Sequence, residues 1–347
     1  MSSATIPKAV LYYSPVSIWS AAVLLALEEK GYGADEIIRK QVDLGIGENF
    51  DPAFLRINPK ATVPTLVVPI EKTLTEDVES RYKALTDTQA IIEFLDKSRS
   101  ATSRTHTTSS APAPALAPAT IAFASKSKNI IDILHSDNAN PNHLRYVNAR
   151  NDAALQTLAS QTLPGLRGKQ KALDRYIADA EGEKISVSEK TKAFWREKKA
   201  AVDVLLEVVE NADKAEGELD AVDQGKRAEF YTEARQAWEV SLKDALVKIN
   251  SEHIGPYTLG DQISIADLHL ASWLARLVKL AGGEYGDGGD AAIGKLEGHI
   301  GGGFALAKDF VVEDGQGASV HHSKLGAFWD AVGARASWKR VYGEGLY

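Results

Sequence analysis

The sequence predicts two domains in series, a small α/β domain and then a larger all-helical one. Three observations carry this. β-prone and helix-periodic segments alternate through the first hundred residues, a Ser/Thr/Ala/Pro-rich stretch follows at 98–120, and apolar spacings of three and four dominate the remainder. At 347 residues the chain is long enough for both domains. Apolar residues make up 44% and charged residues 25%, the balance of an ordinary globular protein. A formal charge of −7 argues against a general binder of nucleic acid or anionic membrane. No apolar run is long enough to span a bilayer and no leader pattern opens the chain, so the cytosol is the expected location. Cysteine is absent, which excludes disulfides, zinc thiolates and cysteine nucleophiles.

Taken in order, AVLYY (9–13) is a strand and Ser14-Pro15 breaks it. A helix follows from Trp19 to Lys30, stopped by Gly31 at the position after its C-cap. EIIRKQVDL (36–44) is a second strand, PAFLRIN (52–58) a short helix, PTLVVP (64–69) a third strand, and a fourth is expected at 82–85. TDTQAIIEFLDK (86–97) has helical spacing at Ala90, Ile91, Phe94 and Leu95. This is a β-α-β-α-β-β-α order, a single mixed sheet with helices on both faces. Domain boundaries are expected at 1–97, a linker at 98–120, and a helical domain at 121–347. Helices are expected at 121–136, 141–162, 166–181, 187–213, 226–251, 265–281 and 323–334, and a surface loop over the Gly-rich 281–303.

The motifs SIWSAAVLLALEEKG (17–31), INPKATVPTL (57–66) and LTDTQAIIEFLD (85–96), in this order, resemble the glutathione transferase superfamily. YTLGDQISIADLHLASWLARL (257–277) is similar to a helical segment of the same family. The resemblance implies an N-terminal thioredoxin-like domain that binds glutathione, an all-α C-terminal domain, and a homodimer formed through the face joining the two. It also implies roles for particular residues. Ser17 falls on the catalytic serine of serine-type members and Tyr13 on the tyrosine of tyrosine-type members. Val63-Pro64 matches a cis-proline turn whose backbone holds the cysteinyl unit of glutathione. Asp87 and Thr88 match the pair that holds the γ-glutamyl ammonium and carboxylate. Thr62 stands where members usually carry Lys, Arg or Gln, and Lys60 or Arg56 is left to supply that cation.

The chemistry these residues offer can be stated directly. A free thiol titrates near pH ~8.5, so little thiolate exists at neutral pH. Lowering that value by about two units takes roughly 2.7 kcal/mol of differential stabilisation. One hydroxyl donor and the positive end of a helix are suited to supply it. SPVSIWS enters its helix in a way that resembles serine-type members, and the resemblance implies Ser17 before Tyr13 for this task. Val16 and Trp19 are candidate walls for an apolar electrophile, together with segments 121–136 and 141–162. Without a cysteine, mixed-disulfide chemistry is expected to be poor.

Two further readings concern structure. Ser264 and Asp267 have the spacing of a capping box, a helix cap and not a catalytic pair. Residues 163–225 look inserted, and 191–219 reads as a long amphipathic helix. Fungal-type members with long insertions and the ganglioside-induced differentiation-associated protein 1 branch have similarly lengthened helical regions. His321-His322 and GDGGD (286–290) have no complete ligand set for a metal and are expected to be loop residues.

Overall fold

The computed structural model describes residues 8–69, 82–100, 109–313 and 319–343. In chain order the first part runs β1 (Ala9–Tyr13), α1 (Ile18–Glu29), β2 (Ile37–Gln41), α2 (Pro52–Ile57), β3 (Thr65–Pro69), β4 (Tyr82–Leu85) and α3 (Thr88–Ser98). Helices follow: α4 (Ile121–Leu134), α5 (Pro141–Tyr146), α6 (Asp152–Glu181), α7 (Glu189–Val209), α8 (Ala221–Arg235), α9 (Leu242–Glu252), α10 (Ile265–Leu280) and α11 (Gly289–Ile300). A hairpin of β5 (Phe310–Glu313) and β6 (Ser319–His322) precedes α12 (Lys324–Gly333) and the short α13 (Ala336–Trp338). The chain is thus a thioredoxin-like mixed sheet with helices at the N-terminus and a mostly helical remainder. Contacts group it into two units. One comprises 1–41, 63–139 and 243–347, the other 42–62 and 140–242.

In the first unit the strand order is β2-β1-β3-β4. β1 and β2 pair in parallel through the α1 crossover, while β3 pairs antiparallel with β1 and β4. Register sets Leu11 opposite Leu66 and Leu66 opposite Leu85. α1 is apolar on every face because it is covered on every face, packing against α3 and α10 as well. It ends as the sequence predicts. Gly31 takes φ +65°, the Tyr32 N–H donates to the Leu27 carbonyl at 2.9 Å, and the Gly31 N–H donates to Glu28 at 3.0 Å. A Cβ at Gly31 would meet Ala111 Cβ and the Pro112 carbonyl at 2.7 Å, so glycine also admits the returning chain.

That returning chain is the second half of the Ser/Thr/Ala/Pro-rich stretch, and it is fixed. Buried Lys30 donates to Asp96 at 2.8 Å and to the Pro114 carbonyl at 2.6 Å. Asp96 accepts the N–H groups of Leu116 and Ala117 at 2.9 and 3.0 Å. The Leu116 carbonyl in turn accepts from the Ile265 N–H at the start of α10. Ala113 and Leu116 are buried, although composition alone suggests a stretch with little to bury.

Helix boundaries shift where tertiary packing outweighs local signals. The Gly-rich 281–303 is not a loop throughout, since α11 occupies 289–300. Ala292, Ile293, Leu296 and Ile300 make one buried face, with Gly294 and Gly298 exposed. Gly289 lies so close to Gly326 that a Cβ there would stand 2.0 Å from the Gly326 carbonyl, which lets α11 pack tightly on α12. The β5–β6 hairpin gave no sequence signal.

In the second unit α6 and α7 pack along one another across a short connection. The expected break between 162 and 166 is absent, and α6 runs through Pro164. The helix expected over 191–219 ends at Val209. Trp195 is wholly buried, stacks on Tyr176 and donates to the Phe50 carbonyl at 3.0 Å. Segment 42–62 is thereby tied to α7, and through Tyr176 to α6.

Candidate functional site

The strand-to-helix turn after β1 is built from serines. The Ser14 N–H donates to Ser20 Oγ at 3.3 Å, and the Ser20 N–H donates to Ser17 Oγ at 3.2 Å. The Ser17 N–H reaches the Ser14 carbonyl at 3.0 Å. First-turn amides have no intrahelical acceptor, and here hydroxyl oxygens supply one. Ser17 is the N-cap of α1. Its own hydroxyl donates to the Val63 carbonyl at 3.3 Å, at the long end for an O–H···O bond.

The structure brings Ser17 to Val63, 46 positions away, and the Val63-Pro64 peptide is cis. Asp87 is the N-cap of α3, accepting from the Ala90 N–H at 2.9 Å, and is exposed, whereas the neighbouring Thr88 is buried. Tyr13 ends β1 half-buried, in register with Gln41. Val16 is exposed, and its carbonyl accepts from Arg276 Nη2 at 2.8 Å. Trp19 stacks on His135, ring centroids 3.9 Å apart. Lys60 and Thr62 belong to the second unit. Lys60 is exposed, and its backbone N–H donates to Asn58 Oδ1 at 3.0 Å. The Thr62 carbonyl and hydroxyl accept from Asn58 Nδ2 at 2.8 and 3.0 Å.

Three residues beside this turn were not picked out from the sequence. His135 Nε2 and His269 Nδ1 are 2.9 Å apart, and Trp19 leans on both rings. His269 is wholly buried in α10, its Nε2 has no hydrogen-bond partner among the described residues, and burial drives its pKa down. Desolvation also lowers His135, against an upward pull from the carboxylates of Asp87 and Asp132. Both imidazoles are thus held neutral at neutral pH. The third residue is Arg276. The sequence carries no spacing that joins His135 to His269 or Arg276 to Val16.

Open clefts lie elsewhere. One of about 560 Å³ in the first unit is lined by Glu29, Tyr257, Arg335 and Ser337, which form one hydrogen-bonded cluster. Two in the second unit, of about 490 and 770 Å³, share Asp51, Arg175 and Tyr176. None is lined by Ser17, Val63 or Asp87. Ser264 and Asp267 form the expected helix brace, Asp267 accepting from the Ser264 N–H and hydroxyl at 2.7 and 2.6 Å. His322 meets Asp290 at 3.1 Å, but no group of three or more candidate ligands is assembled for a metal among the described residues. Nor is any described helix long and apolar enough to cross a membrane.

A thioredoxin-like sheet, a serine-capped first helix and a cis Val63-Pro64 peptide thus lie in the N-terminal part of the chain. Residues 16–98 match the glutathione S-transferase N-terminal domain family. A curated relative, tetrachloro-p-hydroquinone reductive dehalogenase of Sphingobium chlorophenolicum, is 49% identical over 63 residues. That match covers 18% of this chain and 24% of the relative, so it spans about a quarter of the relative's length. Similar solved structures include a beta-etherase from Sphingobium sp. strain SYK-6, at 16% identity and TM-score 0.48, over 97% of this chain and 100% of that one. Another is a glutathione transferase homologue from Sulfitobacter with bound glutathione, at 17% identity and TM-score 0.41, over 98% and 99%.

Proposed function

We propose that this chain is a glutathione transferase in which Ser17 holds the sulfur of glutathione as thiolate for attack on an apolar electrophile. One observation carries the reading. Ser17 sits at the N-terminus of α1 with its hydroxyl proton on the Val63 carbonyl at 3.3 Å. A donor in so long a bond is transferred to an arriving sulfur at small cost, and the helix end favours the anion formed. The thiolate then forms a C–S bond, the leaving group departs with its electron pair, and the thiol proton passes to solvent. Ether cleavage is the same displacement with an alkoxide or phenoxide leaving.

The remaining roles follow the family resemblance. The Val63 backbone holds the cysteinyl unit. Asp87 takes the γ-glutamyl ammonium, while Thr88 and the first amides of α3 take its carboxylate. Lys60 or Arg56 meets the glycine end. Val16 and Trp19 wall the electrophile's place, with Tyr13 the second candidate for the sulfur. The name of the curated relative offers chlorinated hydroquinones as a first co-substrate class to try. A cytosolic homodimer completes the proposal.

Thr62 favours a second reading, a glutathione-transferase-like ligand binder or scaffold with little catalysis. Its polar atoms are engaged by Asn58 at a position where a cation is usual. Calorimetric and thermal-shift titration with reduced glutathione separates the two. Ligand at about one hundred times its Kd adds about 2.7 kcal/mol to the native state. A saturable shift that is lost on replacing Asp87 supports the transferase. No shift at millimolar glutathione supports the second reading.

A further inference from the structure

The peptide group between Val16 and Ser17 is held at both ends. Its carbonyl accepts from Arg276 Nη2 at 2.8 Å, and its N–H donates to the Ser14 carbonyl at 3.0 Å. A peptide is a rigid plane with its C=O and N–H pointing in opposite directions. Two such bonds therefore fix the rotation of the plane and the direction from which the chain enters Ser17, whose extended φ of −101° begins the cap. The Ser14 bond is local. The Arg276 bond comes from 260 positions away.

α10 makes a firm mount for that guanidinium. Trp273, Leu274, Ala275, Leu277 and Val278 around it are buried, and Trp273 Nε1 donates to the Ala139 carbonyl at 2.7 Å. Arginine keeps its charge at every working pH, so the bond to Val16 persists across the range in which a thiol titrates.

We infer that Arg276 is a positioning residue for Ser17. By clamping the Val16–Ser17 peptide it keeps the Ser17 hydroxyl aimed at the sulfur, and it acts on the thiol through Ser17 without touching substrate. This rests on the proposed role of Ser17. The tertiary fold thereby completes a turn that the N-terminal sequence leaves half-anchored.

The test is the ultraviolet absorbance of the thiolate of bound glutathione, followed against pH in the full-length protein and in Arg276→Met, Arg276→Lys and Ser17→Ala. Arg276→Met is expected to bind glutathione within about threefold of the parent while its bound thiol titrates about one unit higher. Thiolate at neutral pH then falls about threefold, and kcat with it, at little-changed KM for glutathione. Arg276→Lys, which keeps a charged donor, recovers part of the loss. If Ser17→Ala raises the thiol's midpoint and a folded Arg276→Met does not, the inference about Arg276 is wrong and the Ser17 reading stands. If Ser17→Ala leaves the midpoint unmoved, or the parent binds no glutathione, both fall together. Should Arg276→Met melt below working temperature, Arg276→Gln is judged by the same midpoint.

Discussion

Among the described helices that begin with a serine N-cap, α1 and α10 put it to different uses. At α10, Ser264 gives its hydroxyl proton to the buried carboxylate of Asp267 at 2.6 Å, and Asp267 also accepts from the Ser264 N–H and the Thr258 N–H, each at 2.7 Å. At α1, Ser17 gives its proton to a backbone carbonyl at 3.3 Å. The first is a short, charge-assisted bond inside a closed network, and the second is long and neutral. A closed network holds the fold but offers nothing to a ligand. A long bond to a backbone carbonyl at a helix N-terminus contributes less to folding than a charge-assisted one. Similar sequence signals thus mark a closed brace in one place and, in the proposed function, the sulfur's donor in the other, and the partner of the hydroxyl distinguishes them.

The strongest way to break this comparison is Asp267→Ala. It strips the acceptor from three buried donors, each costing about 1–3 kcal/mol when unsatisfied. A loss of about 3–5 kcal/mol in denaturant unfolding is expected, with glutathione affinity in the surviving folded protein little changed. A loss below about 1 kcal/mol would show that the α10 network is no brace. Ser17→Ala comes next. It is expected to lower kcat about 10²-fold, or about 2.7 kcal/mol of transition-state stabilisation, but to cost only about 1 kcal/mol of stability as a lost cap. Steady-state kinetics beside a melting curve read both, and turnover equal to the parent would remove Ser17 from the mechanism.

Asp87→Asn sharpens the comparison at a third cap. Asparagine caps a helix as well as aspartate does, so stability should hold while glutathione binds about tenfold more weakly for want of the charge. Equal affinity in calorimetry would mean that Asp87 only caps α3. The smallest effect is in pH. Burial lowers the pKa of His253 from 6.5 to about 4, and lowers His269 as well. The unfolded chain then binds more protons below pH 6.5, so their contribution to stability is present above that value and is lost as pH falls towards 4. Asp267 has the opposite sign. Burial raises it from 3.8 to about 6, so its contribution is present below 3.8 and is lost as pH rises through 6. Asp267→Asn should therefore steepen the loss of stability on acidification between about pH 4 and 6, as read by unfolding at stepped pH.

How much of this was legible in the sequence depends on the reach of each interaction. The stop at Gly31, the cap at Ser264 and the order along the chain of the first four strands were all readable, because a cap or turn is satisfied within about four residues. The helix over 289–300 was not. Its glycines depress local propensity, and the contact that stabilises it is the close pass of Gly289 over Gly326. The break expected between 162 and 166, where Pro164 lies, is absent for the converse reason, since one missing N–H is outweighed by the packing of α6 along α7.

By itself, then, the sequence determined the class of the N-terminal domain and a serine-rich turn at the start of its first helix, since both are written in residues that touch their near neighbours. The tertiary structure alone decided which carbonyl receives the Ser17 proton, which guanidinium holds the peptide before it, and which histidine pair stands behind Trp19. Those contacts join positions 46 to 260 apart. Geometry at such separations comes from packing a buried α1 between its sheet and α10, a property of the folded chain that no local spacing records.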